Sequence, residues 1–396
     1  TALIDYSNPK AVAWVQEKIH NLLDMGVAAI KVDFGEGAPI EAKYHGVASE
    51  SMHNLYPLLY GKAIYEVTQQ VHGVDQAIIW ARAGWAGSQR YPIHWSGDGI
   101  ARFEDLACVL RSALSFGMSG FPFYSHDIGG FSGIPTPELY IRWAQFGLFS
   151  SHSRCHGEPP SEPWEYGEGA ENIFRKYTEL RYRLMPYIYS QAVESVNASL
   201  PMVRALVLEF QDDPTATKID DQYLFGSNIL VAPILEQTIY RKVYLPLGSW
   251  IDYWTKTVHQ GPCWLEIEAP LDILPLYVRT GSILPYGPLC QYVEEKTLDP
   301  LTLEIYHPKT SRSFTIYEPD QADIKVQYRK KGKELILETS STPGKIEIIL
   351  FGMEISEVWL EDISLALTST ENGAYQFCYD GRSPAQVRVF EKGPSA

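Results

Sequence analysis

The sequence predicts a chain that is α/β in its first half and all-β in its second: the C-terminal part of a (β/α)8 barrel followed by two β-sandwich domains. Three observations carry this. Short apolar runs alternate with helical patterns up to about residue 200, and each run ends in polar residues, as parallel βαβ units do. From Pro201 the helical periodicity stops, and short strand-like runs separated by Gly, Pro and Asn follow at even spacing, as in β-sandwiches. The α/β stretch is also too short for a closed eight-unit barrel, which takes about 250 residues. Boundaries near 201 and 290 divide the chain into residues 1–200, 201–289 and 290–396.

Taken in order, Asn8-Pro9 opens a helical pattern over 10–25, with Val12, Val15, Ile19, Leu22 and Leu23 on one face. No strand precedes this helix and the chain opens on Thr1, so the sequence reads as the C-terminal part of a longer protein whose upstream part completes the barrel. A buried strand over 27–32 runs straight into Asp33 and Glu36, then stops at two glycines and Pro39. A helix over 49–71, a strand over 77–81 ending at Arg82, and a Gly- and Trp-rich loop follow. Next come a helix over 103–114 and a strand over 117–124 leading into Ser125-His126-Asp127. A helix over 140–149, the segment 150–156 and one long amphipathic helix over 172–195 close this half. In the second half, short strands are expected over 223–233, 242–246, 250–254, 276–284, 301–305, 313–317, 345–351 and 387–390.

Composition removes several classes. With 45% hydrophobic residues the chain can bury sizeable cores, and general disorder is excluded. A net charge of −15 argues against nucleic acid or an anionic membrane as partner. Five widely spread cysteines without CxxC spacing suggest neither a disulfide framework nor a zinc site, and favour a reducing compartment such as the cytoplasm. No GxGxxG follows a strand, and no P-loop or His-Glu-x-x-His occurs, so dinucleotide, phosphate-loop and metal chemistry have no support.

The chemistry-bearing residues stand at strand ends. Carboxylates at the C-terminal ends of barrel strands sit where such folds keep their active sites. Asp33 is one, and Asp98, flanked by Gly97 and Gly99, is another. Two carboxylates on one barrel face suit glycoside hydrolysis; two acidic turns are the bland alternative. Lys31 shares a strand face with Asp33 by the period of two, as a substrate-binding or a structural cation.

At this point the residues resemble a known family. Ile30-Lys31-Val32-Asp33-Phe34-Gly35-Glu36 is similar to the nucleophile segment of glycoside hydrolase family 31, in the form of its α-xylosidase branch. Arg82 with Gln89-Arg90-Tyr91-Pro92-Ile93-His94-Trp95-Ser96-Gly97-Asp98 resembles the acid/base segment. Ser125-His126-Asp127-Ile128-Gly129-Gly130-Phe131 and Ser151-His152-Ser153-Arg154-Cys155-His156-Gly157 match two further motifs, in the expected order. The resemblance fades beyond about 290.

The resemblance implies a retaining, exo-acting α-glycoside hydrolase with Asp33 as nucleophile and Asp98 as acid/base. It also implies Lys31, Arg82, Trp95, Asp127, Phe131 and His156 as the substrate-binding set. Read alone, Trp95 and Phe131 would be core and His156 a satisfied core histidine. Glu36 reads as a structural carboxylate. No cofactor or metal is implied. The expected partner is an oligosaccharide or α-glycoside, together with the upstream part of the same protein, and self-association is left open. The Lys-x-Asp-Phe-Gly-Glu form favours α-xylose, with an α-glucosidase, an α-glucosyltransferase or a sulfoquinovosidase as alternatives. An inactive carbohydrate-binding homologue is the alternative from another class.

Overall fold

The computed structural model describes residues 3–370 and 372–392. Helix α1 (Pro9–Asp24) starts where Asn8 accepts from the Lys10 amide at 3.0 Å, and Pro9 occupies the first turn, whose N–H has no helical partner anyway. Its stripe buries Val15 and Leu23, with Val12 and Ile19 packed alongside, while Leu22 turns to solvent. The chain then enters β1 (Ile30–Val32), the last three residues of the expected run. Helix α2 (Ser49–His72), ended by Gly73, covers it through Met52, Ile64 and neighbouring apolar residues, and leads to β2 (Ile79–Ala81).

Strand β3 (His94–Trp95), helix α3 (Phe103–Met118) and strand β4 (Tyr124–Ser125) follow. Strands β1 to β4 form one parallel sheet in that order, with Lys31 opposite Trp80, Ala81 opposite His94, and Trp95 opposite Ser125. Two expectations are corrected here. The segment around His94 is a strand and not a loop: its two ladder residues lie inside a run whose Gly and Pro mask it. The expected strand over 117–124 is the end of α3 plus an extended lead into β4, because the apolar face of α3 continues through Leu114 to Gly117.

The chain goes on through β5 (Asp127–Ile128), α4 (Pro137–Leu148) and β6 (Arg154–Cys155), and β6 pairs in parallel with β5 so that Arg154 lies opposite Asp127. The long helix expected over 172–195 is two helices, α5 (Glu168–Arg183) and α6 (Met185–Ala198). Pro186 explains the break: it has no N–H for the carbonyl four residues back, but it fits the first turn of a new helix.

The second half is strand-rich and antiparallel in its pairing except where Leu301–Tyr306 runs parallel to Lys345–Phe351. A six-stranded sheet runs in the spatial order Val203–Ala205, Tyr223–Phe225, Ile229–Val231, Leu276–Arg279, Tyr240–Asp252, Val258–Glu268. The strands expected over 242–246 and 250–254 are one strand of 13 residues, whose register slips between Leu245 and Gly248 around Pro246. Beyond it, a five-stranded sheet containing Ile283–Tyr286, Leu301–Tyr306, Lys345–Phe351 and Tyr375–Asp380 shares one apolar core with a second six-stranded sheet, Leu303 and Ile348 meeting Val326, Leu337 and Val389.

The largest core joins the two halves. Leu110 of α3, Trp143 and Phe146 of α4, Tyr177 of α5 and Tyr187 of α6 pack with Phe225, Val231 and Leu276. Each such side chain contributes about 1.5–3 kcal/mol when fully buried. Arg142 of α4 adds a buried polar tie, donating to the carbonyls of Ala269 (2.7 Å), Ile273 (3.0 Å) and Pro270 (3.2 Å). Among the described residues no helix is long and apolar enough to cross a membrane.

Candidate active site

The carboxyl end of β1 builds the first part of the site. After Asp33 the backbone turns through left-handed conformations at Phe34 (φ 60°) and Gly35 (φ 104°), rare for a residue as bulky as phenylalanine. The turn points the Phe34 amide at Asp33 Oδ1, 2.8 Å away. Lys31 Nζ lies 3.3 Å from the other oxygen, as the two-residue strand period requires.

Arg82, directly after β2, links the two proposed catalytic carboxylates. Its Nη1 is 3.1 Å from Asp33 Oδ1 and donates to Asp98 Oδ2 at 3.0 Å, while Nη2 donates to Glu36 Oε1 at 2.7 Å. The guanidinium also lies over the Phe34 ring, 4.2 Å from its centroid. Gly97 lets the loop bearing Asp98 pass this close: its φ is +77°, and a Cβ there would lie 3.1 Å from Arg82 Cδ. Burial pushes the Asp33 carboxyl upward, but the Phe34 amide, Lys31 and Arg82 outweigh it, and the group ends below the usual aspartate range. Asp33 is therefore ionised at neutral pH.

The second part is built on β3, β5 and β6. Trp95 is buried, with Lys31 Nζ 4.7 Å and Arg154 Cζ 5.0 Å from its ring centroid. Asp127, 2% exposed, meets Arg154 Nε at 2.6 Å and Nη2 at 2.5 Å. Burial raises the Asp127 carboxyl against the pull of Arg154, His156 and Lys31. Burial lowers the His156 imidazole, which also senses Asp127, Arg154, Lys31 and Asp98, so all of these groups share one electrostatic cluster. The Phe131 and His156 rings are 5.6 Å apart. Arg181 of α5 holds the segment before β6, donating to the carbonyls of Leu148, Ser150 and Ser151 at 2.7–2.8 Å.

All eight candidate residues therefore lie in one connected group. Lys31, Asp33, Arg82 and Asp98 form one charged chain, Asp127, Phe131 and His156 stand beside it, and Trp95 lies between them. Glu36, read from sequence as structural, is an anchor of Arg82. Sequence reasoning passed over Arg154, although it stands two residues before His156 and so on the same side of an extended segment. It also passed over Trp80, which looked like core on a buried strand.

Two family models match the chain. Residues 1–191 match the TIM-barrel domain of the glycosyl hydrolases of family 31, and residues 199–284 match the family 31 C-terminal domain. The α-xylosidase XylQ of Lactiplantibacillus pentosus is 44% identical over 297 residues, covering 71% of this chain and 38% of that protein. An α-xylosidase of Emericella nidulans is 36% identical over 315 residues, covering 76% and 40%. Other matching relatives carry the names α-glucosidase and sulfoquinovosidase. The structure of a Flavobacterium johnsoniae family 31 dextranase complexed with glucose superposes with a TM-score of 0.90 at 28% identity, over 98% of this chain and 56% of that one. The chain thus spans about two-fifths of the length of these two curated relatives. With both domain models matched in order along one continuous chain, this protein belongs to glycoside hydrolase family 31.

Proposed function

We propose that the protein is a retaining, exo-acting α-glycosidase that removes a terminal α-linked sugar, α-xylose in this reading, by double displacement. Asp33 attacks the anomeric carbon and forms the glycosyl-enzyme. Asp98 gives its proton to the leaving oxygen, then takes one from the incoming water. Arg82 carries the argument. Oxygens of Asp33 and Asp98 that both lie within 3.1 Å of its Nη1 are no more than about 6 Å apart. That upper bound on one oxygen pair admits the roughly 5–5.5 Å of retaining enzymes and lies below the roughly 6.5–9.5 Å that an inverting enzyme needs for its water.

The electrostatics support the same division of labour. Lys31 and Arg82 keep Asp33 ionised, as a nucleophile must be. Once Asp33 is esterified it carries no charge, and Arg82 faces Asp98 and Glu36 alone. Arg82, Asp127, His156 and Lys31 would bind ring hydroxyls, and Trp95 and Phe131 would wall the sugar. The parallel sheet of the first 200 residues would form part of a (β/α)8 barrel, with β-sandwich units over about 201–289 and 290–396 behind it. The match to α-xylosidases at 44% and 36% identity supports xylose, and relatives named α-glucosidase and sulfoquinovosidase define the runners-up.

The test is hydrolysis of p-nitrophenyl α-xyloside against p-nitrophenyl α-glucoside by the full-length gene product, with Asp33→Ala as control. The expected result is a xyloside preference and a loss of about 10³-fold or more in kcat for the variant. A glucoside preference would keep the mechanism and change the sugar. Undiminished activity in Asp33→Ala would sink the assignment.

A further inference from the structure

We infer that Arg154 is a positioning residue for substrate binding: it holds one oxygen of Asp127 and so leaves the other for a hydroxyl of the bound sugar. The inference deepens the proposed glycosidase function and rests on it. Arg154 Nε donates to Asp127 Oδ1 at 2.6 Å, and Nη2 lies in ionic contact with the same oxygen at 2.5 Å without making a hydrogen bond of its own among the described residues. Oδ2 of the same carboxylate is buried and has no hydrogen-bond partner among the described residues. An unmatched buried acceptor costs about 1–3 kcal/mol, more when charged. A sugar hydroxyl donating to Oδ2 removes that cost, so the carboxylate is poised for a neutral polyol.

The arrangement is held in place from three sides. Asp127 and Arg154 are paired residues of the β5–β6 ladder, which puts their backbones side by side. The guanidinium stands against two indoles, with its Cζ 5.2 Å from the Trp80 centroid and 5.0 Å from that of Trp95, so the fork cannot swing to Oδ2 without losing both contacts. Among the charged neighbours of Asp127, which include His156 and Lys31, Arg154 is the strongest influence opposing burial. A lysine would not do the same, because an ammonium is a point charge free to approach either oxygen.

The experiment compares wild-type enzyme, Arg154→Met, Arg154→Lys and Asp127→Asn on an aryl α-xyloside and its 2-, 3- and 4-deoxy analogues. In the wild type, the analogue lacking the hydroxyl that Asp127 accepts should lose about 10²-fold or more in kcat/KM. In Arg154→Met that penalty should shrink to a few-fold while the other deoxy penalties stay as they were. Arg154→Lys, which keeps the charge and folds more safely, should show the same selective shrinkage. The double variant Asp127→Asn/Arg154→Met should be little worse than Asp127→Asn alone, as expected for residues acting through one another. A uniform loss on all analogues, or strict additivity in the double variant, would overturn the role of Arg154 while leaving the glycosidase function standing. A wild type without α-glycosidase activity would overturn that function, and this inference with it.

Discussion

Replacing Arg82 by Met would leave Asp33, Glu36 and Asp98 around a neutral side chain, with Lys31 as the remaining cation on Asp33. The effect on ionisation has a definite sign. Burial favours the neutral Asp33 carboxyl, and the Phe34 amide, Lys31 and Arg82 favour the charged one. Removing Arg82 therefore shifts the Asp33 ionisation to higher pH, so the variant should show an acidic limb of the kcat/KM profile set by Asp33, above the pH at which the wild type loses activity by unfolding. We expect kcat to fall by about 10²-fold from lost positioning of the two carboxylates. An Asp33 ionisation that does not shift in the variant, read over the pH range in which both proteins stay folded, would show that Arg82 does not act on Asp33. At this scale the sequence was informative where a short period ties residues together: Lys31 and Asp33, two apart on one strand, face each other at 3.3 Å. It was uninformative where partners come from different strands. Nothing local to Arg154 announces that Asp127, 27 residues earlier, will accept from its Nε, or that Trp80 and Trp95 will flank it.

Helix α4 lies against β5 through Gly147, and this contact sets the position of the strand that carries Asp127. A Cβ at Gly147 would fall 2.6 Å from Ile128 Cγ1 and 3.3 Å from His126 Cε1, the two neighbours of Asp127 in the chain. Gly147→Ala is thus an overpacking change inside a closed core, expected to destabilise by about 1–3 kcal/mol despite the better helix propensity of alanine. Because the strain falls on residues flanking Asp127, KM should rise more than kcat falls. A variant as stable as wild type with unchanged KM would show that α4 does not fix β5. Element-scale features were legible to the extent that their period was long. The face of α1 over Val12, Val15, Ile19 and Leu23 was plain, whereas β3 has two residues and no period at all. Proline misled twice. Pro186 was read through as helix interior although it opens α6, and Pro246 was read as a stop although the strand from Tyr240 continues past it by slipping register.

Across the whole molecule, three histidines in the first half, His94 and His126 buried and His152 half-buried, are held neutral. Burial pushes His94 down to about 4, and His126 and His152 down to about 3. His126 Nδ1 accepts from the Trp143 indole at 3.0 Å, so protonating it also breaks a core hydrogen bond. The folded forms titrate well below the ordinary value near 6.5, so their stabilising effect is complete above pH 6.5 and is lost as pH falls toward the folded values. Each histidine then contributes a slope of about 1.4 kcal/mol per pH unit. The depressed carboxylates, Asp33 and Asp105 among them, add their own loss only below about 4, where the unfolded chain begins to take up their protons. The urea midpoint should therefore be level from pH 8 to about 6.5 and fall from there to pH 4. His126→Gln, whose amide oxygen can still accept from Trp143, should have a shallower fall than wild type. A midpoint that is flat down to pH 4 would mean that these histidines are not held neutral. The same ordering bears on activity. Asp33 remains ionised at pH values where the buried histidines already destabilise the fold, so unfolding rather than loss of the nucleophile's charge should set the acid limit of the enzyme. Activity lost on brief acid exposure should accordingly track the loss of folded protein measured in the same sample.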